Sequence, residues 1–416
     1  MATKKKHCFV CGRTENEVSV LLSGDDGYIC SDCVIAAYQM LHDSGFPVPY
    51  GQASSKSSHQ HKATDFKSIP KPQEIKAFLD RYIIGQDDAK RYLSVAVYNH
   101  YKRLSQTGGD DGVEIEKSNI IMVGPTGTGK TLLARTVARL LDVPFCIVDA
   151  TVFTEAGYVG EDVESILSRL LQEADYDVAR AECGIVFIDE IDKIARKADN
   201  PSITRDVSGE GVQQSMLKLL EGSIVNVPPK GGRKHPDQDY VKVDTHNILF
   251  ICGGAFDGIE KKIAQRLNTH TVGFENVRQT HRIDPKNLLQ YVDPTDLKSF
   301  GLIPEIIGRL PVLTYLYPLD RDALRRILVE PQNSLVRQYE KLFAMDGTKL
   351  TFEPEALDFI VDKAVEYKLG ARGLRSIVEA IMSQAMFDNP SQANKKFCVT
   401  ADYARTEFEK NGRLSI

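Results

Sequence analysis

The strongest pattern in the sequence is Gly124-Pro125-Thr126-Gly127-Thr128-Gly129-Lys130-Thr131. The apolar run Asn119–Val123 precedes it, and the amphipathic run Leu132–Leu141 follows it. This order predicts a buried strand, a glycine-rich loop and a helix. Glycines let successive backbone N–H groups turn toward one point, and the following helix directs its positive end there. The pattern therefore predicts a nucleotide-binding P-loop and not a merely structural glycine turn.

Two side chains of the P-loop have chemical roles in this prediction. Lys130 supplies a positive charge for the β- and γ-phosphate oxygens, and the Thr131 hydroxyl is a suitable ligand for Mg²⁺. The predicted nucleotide-binding residues of the loop and the start of its helix are Gly124, Pro125, Thr126, Gly127, Thr128, Gly129, Lys130, Thr131 and Leu132.

A second nucleotide element is the apolar run Gly184–Ile188, which ends in Asp189 and Glu190. Asp189 can hold Mg²⁺ through water, and Glu190 is placed to orient and activate a water molecule against the γ-phosphate. One strand–helix unit separates this run from the P-loop, so the acidic strand should not neighbour the P-loop strand in the sheet. The alternative is that the two acids only cap the next helix.

Four of the eight cysteines lie near the start of the chain as two Cys-x-x-Cys pairs: Cys8, Cys11, Cys30 and Cys33. Two such pairs can surround one Zn²⁺ with four thiolates. A segment this short has too little apolar area to fold alone, so the metal would stabilise it. Four thiolates close the site, which predicts structural zinc. A redox pair or disulfides are the alternatives, and an intracellular setting disfavours them.

Length and composition limit the class of protein. The chain has 416 residues, which is too long for one ordinary core. Fifty-two Lys and Arg residues against 57 Asp and Glu residues give a net charge of −5, which offers no overall footprint for nucleic acid. No apolar run approaches a membrane span, and no apolar core follows the basic start, so we expect a cytoplasmic protein without a membrane partner.

The pattern along the chain predicts four segments. A zinc-binding module occupies 1–45, and a Ser-, Gly- and His-rich stretch at 46–65 is typical of a flexible linker. A large α/β domain follows at 66–317. Beyond Pro318 apolar residues recur every three to four positions, which predicts a small helical domain at 318–416.

Four further residues could contact nucleotide. Ile83 and Ile84 interrupt two helices upstream of the P-loop and could pack against a base, although core packing is the safer interpretation. Arg309 lies beside a helix break and could reach a γ-phosphate in a neighbouring subunit, with a surface ion pair as the ordinary alternative. Arg372 begins a long helix, where an arginine opposes the helix dipole and suits contact with phosphate better than local stability.

Two loops could contact other proteins, and a third, basic loop shows no such sign on its own. Tyr158 and Val159 lie between glycines and could grip polypeptide, although a buried loop is favoured when the pair is considered alone. The basic loop around Arg233 has the composition of a solvated connection. An apolar tip at Val272–Phe274 could dock in a partner's pocket or fold back on its own domain.

Together these motifs resemble the ClpX family, the AAA+ unfoldase subunits of bacterial Clp proteases. The resemblance covers the whole chain, and its most specific stretches besides the cysteine pairs are Glu155–Asp162, Pro201–Gln214, Gly231–Pro236 and Gly370–Ser376. It implies an α/β fold of the AAA+ P-loop class, with a five-stranded parallel sheet between helices, a helical small domain and an N-terminal zinc-binding module. It also implies ATP, Mg²⁺ and structural Zn²⁺ as cofactors.

The resemblance assigns roles to individual residues. It implies that Arg309 is an arginine finger and that Arg372 is the sensor of the small domain. The implied adenine contacts are Ile83, Ile84 and, as a weaker candidate, Leu319. The implied substrate-pore residues are Tyr158, Val159, Arg233, Lys234 and His235, and the implied peptidase-docking residues are Val272, Gly273 and Phe274.

The sequence departs from the family pattern at two points. Members usually carry isoleucine or leucine where this chain has Val272, so docking could be weaker. Many AAA+ ATPases end the fourth strand of the sheet with a polar residue that senses the γ-phosphate. This chain has Cys252-Gly253-Gly254 there, so no such residue is assigned.

The activity implied by the resemblance is ATP-dependent unfolding of tagged proteins by a homohexamer, which threads them into a ClpP-type peptidase. Chaperone-like remodelling is also implied, and the zinc module would dimerise and recruit substrates or adaptors. One alternative is a motor of the same superfamily that acts on nucleic acid, and the acidic balance argues against it. Another is an adaptor that binds nucleotide without hydrolysis, which the intact Lys130, Asp189 and Glu190 disfavour.

Overall fold

The computed structural model describes two compact units, residues 1–62 and residues 63–416. The described residues are 7–14, 18, 20–23, 27–34, 36–37, 69–105, 113, 115–154, 161–195, 209–228, 240–269, 287–368, 370–391 and 396–411. Within these ranges, no helix has both the length and the apolar character that a membrane span requires.

The first unit contains an antiparallel hairpin next to the cysteine pairs. Its strands are β1 (Leu21–Ser23) and β2 (Tyr28–Cys30), with Leu21 opposite Cys30. The backbone of Cys8 forms an isolated parallel β-bridge with that of Tyr28. Among the described residues of this unit, the buried ones are Cys8 and Cys30. The centre of the unit is therefore a cysteine cluster and not an apolar core.

The second unit is built on a five-stranded parallel sheet. Its strands are β3 (Ile120–Val123), β4 (Phe145–Asp149), β5 (Ile185–Asp189), β8 (Leu249–Gly254) and β9 (Val312–Tyr315), and an antiparallel pair, β6 (Ile224–Val227) and β7 (Val241–Asp244), lies outside it. The order across the sheet is β4-β5-β8-β3-β9. β8 thus separates the P-loop strand β3 from the acidic strand β5, which confirms the predicted separation. Because the strands are parallel, their carboxyl ends meet at one edge.

Helices cover both faces of this sheet because its strands are apolar on both. All four residues of β3 are buried, and they alternate between two cores: Ile121 and Val123 face one, and Ile120 and Met122 face the other. The helices of this large domain are α1 (Pro72–Asp80), α2 (Asp87–Leu104), α3 (Lys130–Leu141), α4 (Ser165–Glu173), α5 (Val178–Ala181), α6 (Glu210–Glu221), α7 (Ile259–Thr269), α8 (Pro294–Phe300) and α9 (Pro304–Gly308).

The carboxyl-terminal part is a small helical domain with its own core. Its helices are α10 (Arg321–Val329), α11 (Leu335–Met345), α12 (Pro354–Glu366), α13 (Gly370–Asp388) and α14 (Ala401–Asn411), and a third cluster of buried residues lies among them. A parallel strand pair, β10 (Lys349–Phe352) and β11 (Lys396–Val399), also belongs to this domain. The helical character of this domain was predicted from the sequence, and its strand pair was not.

Candidate nucleotide-binding site

The P-loop connects β3 to α3 in the conformation that its glycines permit. Gly127 and Gly129 have φ values of 82° and 103°, a region that other residues rarely adopt. A Cβ on Gly124 would lie 2.8 Å from the carbonyl oxygen of Leu316, so only glycine fits where the loop leaves the sheet. The loop therefore turns tightly into the amino terminus of α3.

Lys130 is the buried cation of this loop. Its ammonium group donates hydrogen bonds to the carbonyl oxygens of Gly124 and, at 3.0 Å, Pro125. Burial lowers the pKa of Lys130, while the nearby carboxylates of Asp189 and Asp192 raise it. A phosphate oxygen is a stronger partner for an ammonium group than a carbonyl, so this lysine is suited to a polyphosphate ligand.

The acidic strand brings Asp189 to the P-loop. The hydroxyl of Thr131, at the start of α3, donates a hydrogen bond to Oδ2 of Asp189 at 3.1 Å, although β8 lies between β3 and β5 in the sheet. A hydroxyl and a carboxylate are oxygen ligands of the kind that Mg²⁺ takes beside substrate phosphates. These two residues therefore fit a magnesium ion.

Glu190 follows directly after β5 in a left-handed conformation with a φ of 56°. Its backbone N–H donates a hydrogen bond to Oδ1 of Asp189 at 3.0 Å. The residue lines the same cavity as Lys130 and Thr131. A carboxylate in this position can orient a water molecule toward a terminal phosphate.

The cavity has a volume of about 490 Å³ and lies between the large and small domains. Its P-loop residues are Thr126, Gly127, Gly129, Lys130, Thr131 and Leu132, and its acidic residues are Asp189, Glu190, Asp192 and Asp257. The small domain contributes Gln338 from α11 and Ala371, Arg372 and Arg375 from α13. α13 also approaches the loop itself, since a Cβ on Gly370 would lie 3.4 Å from the carbonyl oxygen of Thr126. The two domains therefore enclose one site.

Seven of the predicted nucleotide contacts do not line this cavity: Gly124, Pro125 and Thr128 of the P-loop, and four residues outside the loop. Ile83 and Ile84 are buried, with exposed fractions of 5% and 8%, while the neighbouring Tyr82 does line it. Leu319 packs against the core of the small domain. Arg309 is about half exposed and pairs with Glu221 on α6, with its Nε 3.0 Å from the carboxylate. Their proposed roles stay predictions.

Several cavity residues were missed by the sequence analysis. Tyr82 directly precedes the predicted Ile83, and Arg375 lies one helical turn after Arg372, so both had a signal in their spacing. Asp192 and Lys193 also follow closely after the predicted Glu190, whereas Asp257 had no such signal. Their positions depend on how β5 and β8 are aligned in the sheet.

The predicted protein-contact residues lie outside the described residues. This applies to the pore residues Tyr158, Val159, Arg233, Lys234 and His235 and to the docking residues Val272, Gly273 and Phe274. Residues 201–208 of the family-specific stretch Pro201–Gln214 also lie outside them.

The cysteine cluster of the first unit fits a metal ion. The Sγ atoms of Cys8, Cys11, Cys30 and Cys33 all lie within 4.8 Å of one another. The backbone N–H of Cys30 donates to Sγ of Cys8 at 3.2 Å, which favours the thiolate form. Four thiolates at this spacing are the ligand set of a closed structural zinc site.

The P-loop strand and the acidic strand lie two places apart in a parallel sheet, and a helical domain closes the cavity. This arrangement defines an ATPase of the AAA class. Residues 115–313 match the family described as AAA domain (Cdc48 subfamily). Residues 319–398 match the C-terminal, D2-small domain, of ClpB protein, and residues 6–43 match the ClpX C4-type zinc finger.

Close relatives match nearly the whole chain. A protein of Bacteroides fragilis (strain ATCC 25285) is 68% identical over 406 residues, covering 98% of this chain and 96% of the relative. A protein of Porphyromonas gingivalis (strain ATCC 33277) is 65% identical over 410 residues, covering 98% of each. Both are described as ATP-dependent Clp protease ATP-binding subunit ClpX. The chain belongs to the ClpX family, and it is an ATPase whose cofactors are ATP, Mg²⁺ and structural Zn²⁺.

Proposed function

We propose that this protein is an ATP-driven unfoldase that recognises tagged proteins, unfolds them and threads them into a ClpP-type peptidase. The observation that carries the proposal is the cavity shared by the P-loop and α13, because nucleotide bound there contacts two domains at once. Loss of the γ-phosphate then changes how strongly the small domain is held. Such a change in domain contact can drive mechanical work on a substrate.

The chemistry is assigned to the residues around this cavity. Lys130 holds the β- and γ-phosphates, Thr131 and Asp189 hold Mg²⁺, and Glu190 orients the attacking water. The remaining ATP contacts are the P-loop residues 124–132, Arg372 from the small domain, and Ile83, Ile84 and Leu319 around the adenine. Bound Mg²⁺ supplies charge neutralisation for the developing negative charge on the phosphate.

The active assembly in this proposal is a homohexamer with ATP between subunits. Arg309 supports it, since this arginine does not line the cavity of its own chain. From a neighbouring subunit it can stabilise the charge on the transferring phosphoryl group. In the single chain the half-exposed side chain pairs with Glu221 instead.

Substrate and peptidase contacts are proposed from the family membership. Tyr158 and Val159 grip the polypeptide, Arg233, Lys234 and His235 line the channel entrance, and Val272–Phe274 dock on the peptidase. The relatives' description as subunits of an ATP-dependent Clp protease supports a ClpP-type partner. The same motor, without the peptidase, would remodel proteins as a chaperone.

The domain arrangement that we propose for substrate unfolding follows the sequence pattern. The zinc module at 1–45 recruits substrates or adaptors, and the linker at 46–65 tethers it to the motor. The large domain spans 66–317 and the small domain 318–416. We place the protein in the cytoplasm.

The proposal is tested by Glu190→Gln in a reconstituted reaction with a ClpP-type peptidase and a tagged fluorescent protein. The wild type should destroy the fluorescence in an ATP-dependent way. Glu190→Gln should hydrolyse ATP at least about 100-fold more slowly, because the water is no longer activated, yet still bind ATP and the client.

The matched control is Glu355→Gln, an exposed glutamate on α12 outside the cavity, which should behave as wild type. Normal turnover by Glu190→Gln would remove Glu190 from the proposed role. ATP hydrolysis that DNA stimulates and unfolded protein does not would favour the nucleic-acid motor instead.

A further inference from the structure

The end of β8 lies beside the ATPase cavity without a long polar side chain of its own. Two glycines, Gly253 and Gly254, complete the strand. A Cβ on Gly254 would lie 2.7 Å from Oδ1 of Asp192 and 2.5 Å from the ring of Phe256. The Asp192 carboxylate and the Phe256 ring therefore occupy the space that a side chain on Gly254 would need.

Asp192 is held there by specific contacts. Its side chain is only 2% exposed, and Oδ1 accepts a hydrogen bond from the backbone N–H of Ala255 at 3.1 Å. Asp192 lies in the short 3₁₀ helix Ile191–Ile194, immediately after Glu190. The carboxylate thus connects the end of β5 to the end of β8.

The second oxygen of Asp192 faces a lysine. Nζ of Lys193 lies 3.4 Å from Oδ2 of Asp192 and 3.9 Å from Oδ2 of Asp257. Lys193 lines the cavity together with Lys130, and its side chain is about half exposed. A buried carboxylate and a reachable ammonium group are therefore presented side by side at the carboxyl edge of the sheet.

We propose that Asp192 positions Lys193 as a second phosphate-binding lysine, which contacts the γ-phosphate from the end of β5 in place of a polar side chain on β8. The inference rests on the proposed function, because it assigns a further contact to the same ATP site. Asp192 is a positioning residue that acts through Lys193. Lys193 is the residue that touches the substrate.

Charge supports this assignment. An unpaired carboxylate as buried as Asp192 would repel ATP, and the Lys193 ammonium group offsets that charge. The attraction of Asp192 raises the pKa of Lys193, so the lysine stays charged through neutral pH. A cation held in this way favours ATP over ADP, because ATP carries one more phosphate group.

The inference predicts a change in the preference for ATP over ADP. Binding of Mg·ATP and Mg·ADP would be measured by titration calorimetry in a Glu190→Gln background, which prevents hydrolysis during the titration. Lys193→Met should weaken ATP binding about tenfold and leave ADP binding within about twofold, because only ATP carries the γ-phosphate. Lys262→Met, an exposed lysine of α7 outside the cavity, is the matched control.

Asp192→Asn tests the positioning role, since the amide keeps an oxygen for the Ala255 N–H and loses the charge. It should lower ATP preference in the same direction, and it should add nothing in the Lys193→Met background. A structural role alone would lower the melting temperature without changing the ATP/ADP ratio. Fully additive losses in the double variant would also contradict the positioning role.

Lys130→Ala separates this inference from the proposed site. If Lys130→Ala leaves nucleotide binding intact, the proposed ATP site itself is wrong. If Lys130→Ala abolishes binding while Lys193→Met keeps the wild-type ATP/ADP ratio, only the inference about Lys193 is overturned. Lys193 is half exposed, so its variant tests the inference even if the Asp192 variant fails to fold.

Discussion

Gly124 and Gly308 differ in how much space their surroundings leave for a side chain. The position of a Cβ on Gly124 would conflict with backbone atoms of Leu316, at 2.8 Å from its oxygen and 3.2 Å from its nitrogen. Backbone atoms cannot rotate away as the end of a side chain can. Gly308, at the end of α9, has no atom within 4 Å of the corresponding position. The two sites should therefore respond differently to the same substitution.

We predict that Gly124→Ala lowers the free energy of unfolding by about 1–3 kcal/mol and weakens nucleotide binding, because the P-loop must shift away from Leu316. Gly308→Ala should change stability by less than about 1 kcal/mol. Thermal melts of both variants, with and without ATP, measure the difference. Equal melting temperatures for the two variants would contradict the steric explanation.

His100 is a buried base that the ATPase site does not use. Its Nε2 lies 3.0 Å from the carbonyl oxygen of Asn247. Burial lowers the pKa of His100 to about 3, and the nearby charges of Arg103 and Lys117 contribute in the same direction. The imidazole is therefore neutral in the folded protein at neutral pH.

This shift predicts a loss of stability in acid. Below pH 6.5 the unfolded chain protonates His100 while the folded chain does not, so stability falls by up to about 1.4 kcal/mol per pH unit as the pH drops toward 3. His100→Gln keeps a donor for Asn247 but does not titrate. The variant should lose less melting temperature than the wild type between pH 7 and pH 5.5, and parallel losses would contradict the assignment.

At the scale of elements, the P-loop with its flanking strand and helix could be predicted from the sequence because those signals are local, whereas the five-stranded sheet was implied by the family resemblance. A glycine loop between an apolar and an amphipathic run is visible within about 20 residues. The Asp192–Ala255 contact joins positions 63 residues apart, and only the alignment of β5 with β8 creates it. The β10–β11 pair was missed for a similar reason, since two four-residue strands far apart in sequence have no periodicity of their own.

The zinc module offers a prediction at this scale. Cys30→Ser should remove about one equivalent of bound zinc per chain and unfold the first unit, because the described part of that unit has little buried besides cysteine. ATP hydrolysis in the absence of substrate should persist, since the cavity lies in the second unit. Zinc analysis and a phosphate-release assay measure the two effects.

The matched control for Cys30→Ser is Cys398→Ser, because Cys398 is exposed on β11. It should keep zinc and activity. Full zinc occupancy in Cys30→Ser would show that the four-cysteine ligand set is wrong.

For the whole molecule, the position of Arg309 predicts that active sites are shared between subunits. Arg309→Ala and Glu190→Gln should each abolish hydrolysis when alone. Mixed rings should recover up to about a quarter of the wild-type rate, because some interfaces combine an intact Glu190 with an intact Arg309 from the next subunit.

Phosphate release from mixtures of the two purified variants measures this recovery, and each variant mixed with itself is the control. Mixtures that stay inactive, although mixed rings form, would place Arg309 in a role within its own chain or in its ion pair with Glu221 alone.

α13 begins at the P-loop and continues for 19 residues into the core of the small domain. At 1.5 Å per residue this is an arm of about 28 Å, so a tilt of about 10° at its first turn would sweep the far end through about 5 Å. Gly370 keeps the pivot compact, because even a Cβ at this position would be in van der Waals contact with the phosphate loop. A displacement of less than about 1 Å near the phosphate can therefore move the far end of α13 by more than the length of one residue in an extended polypeptide.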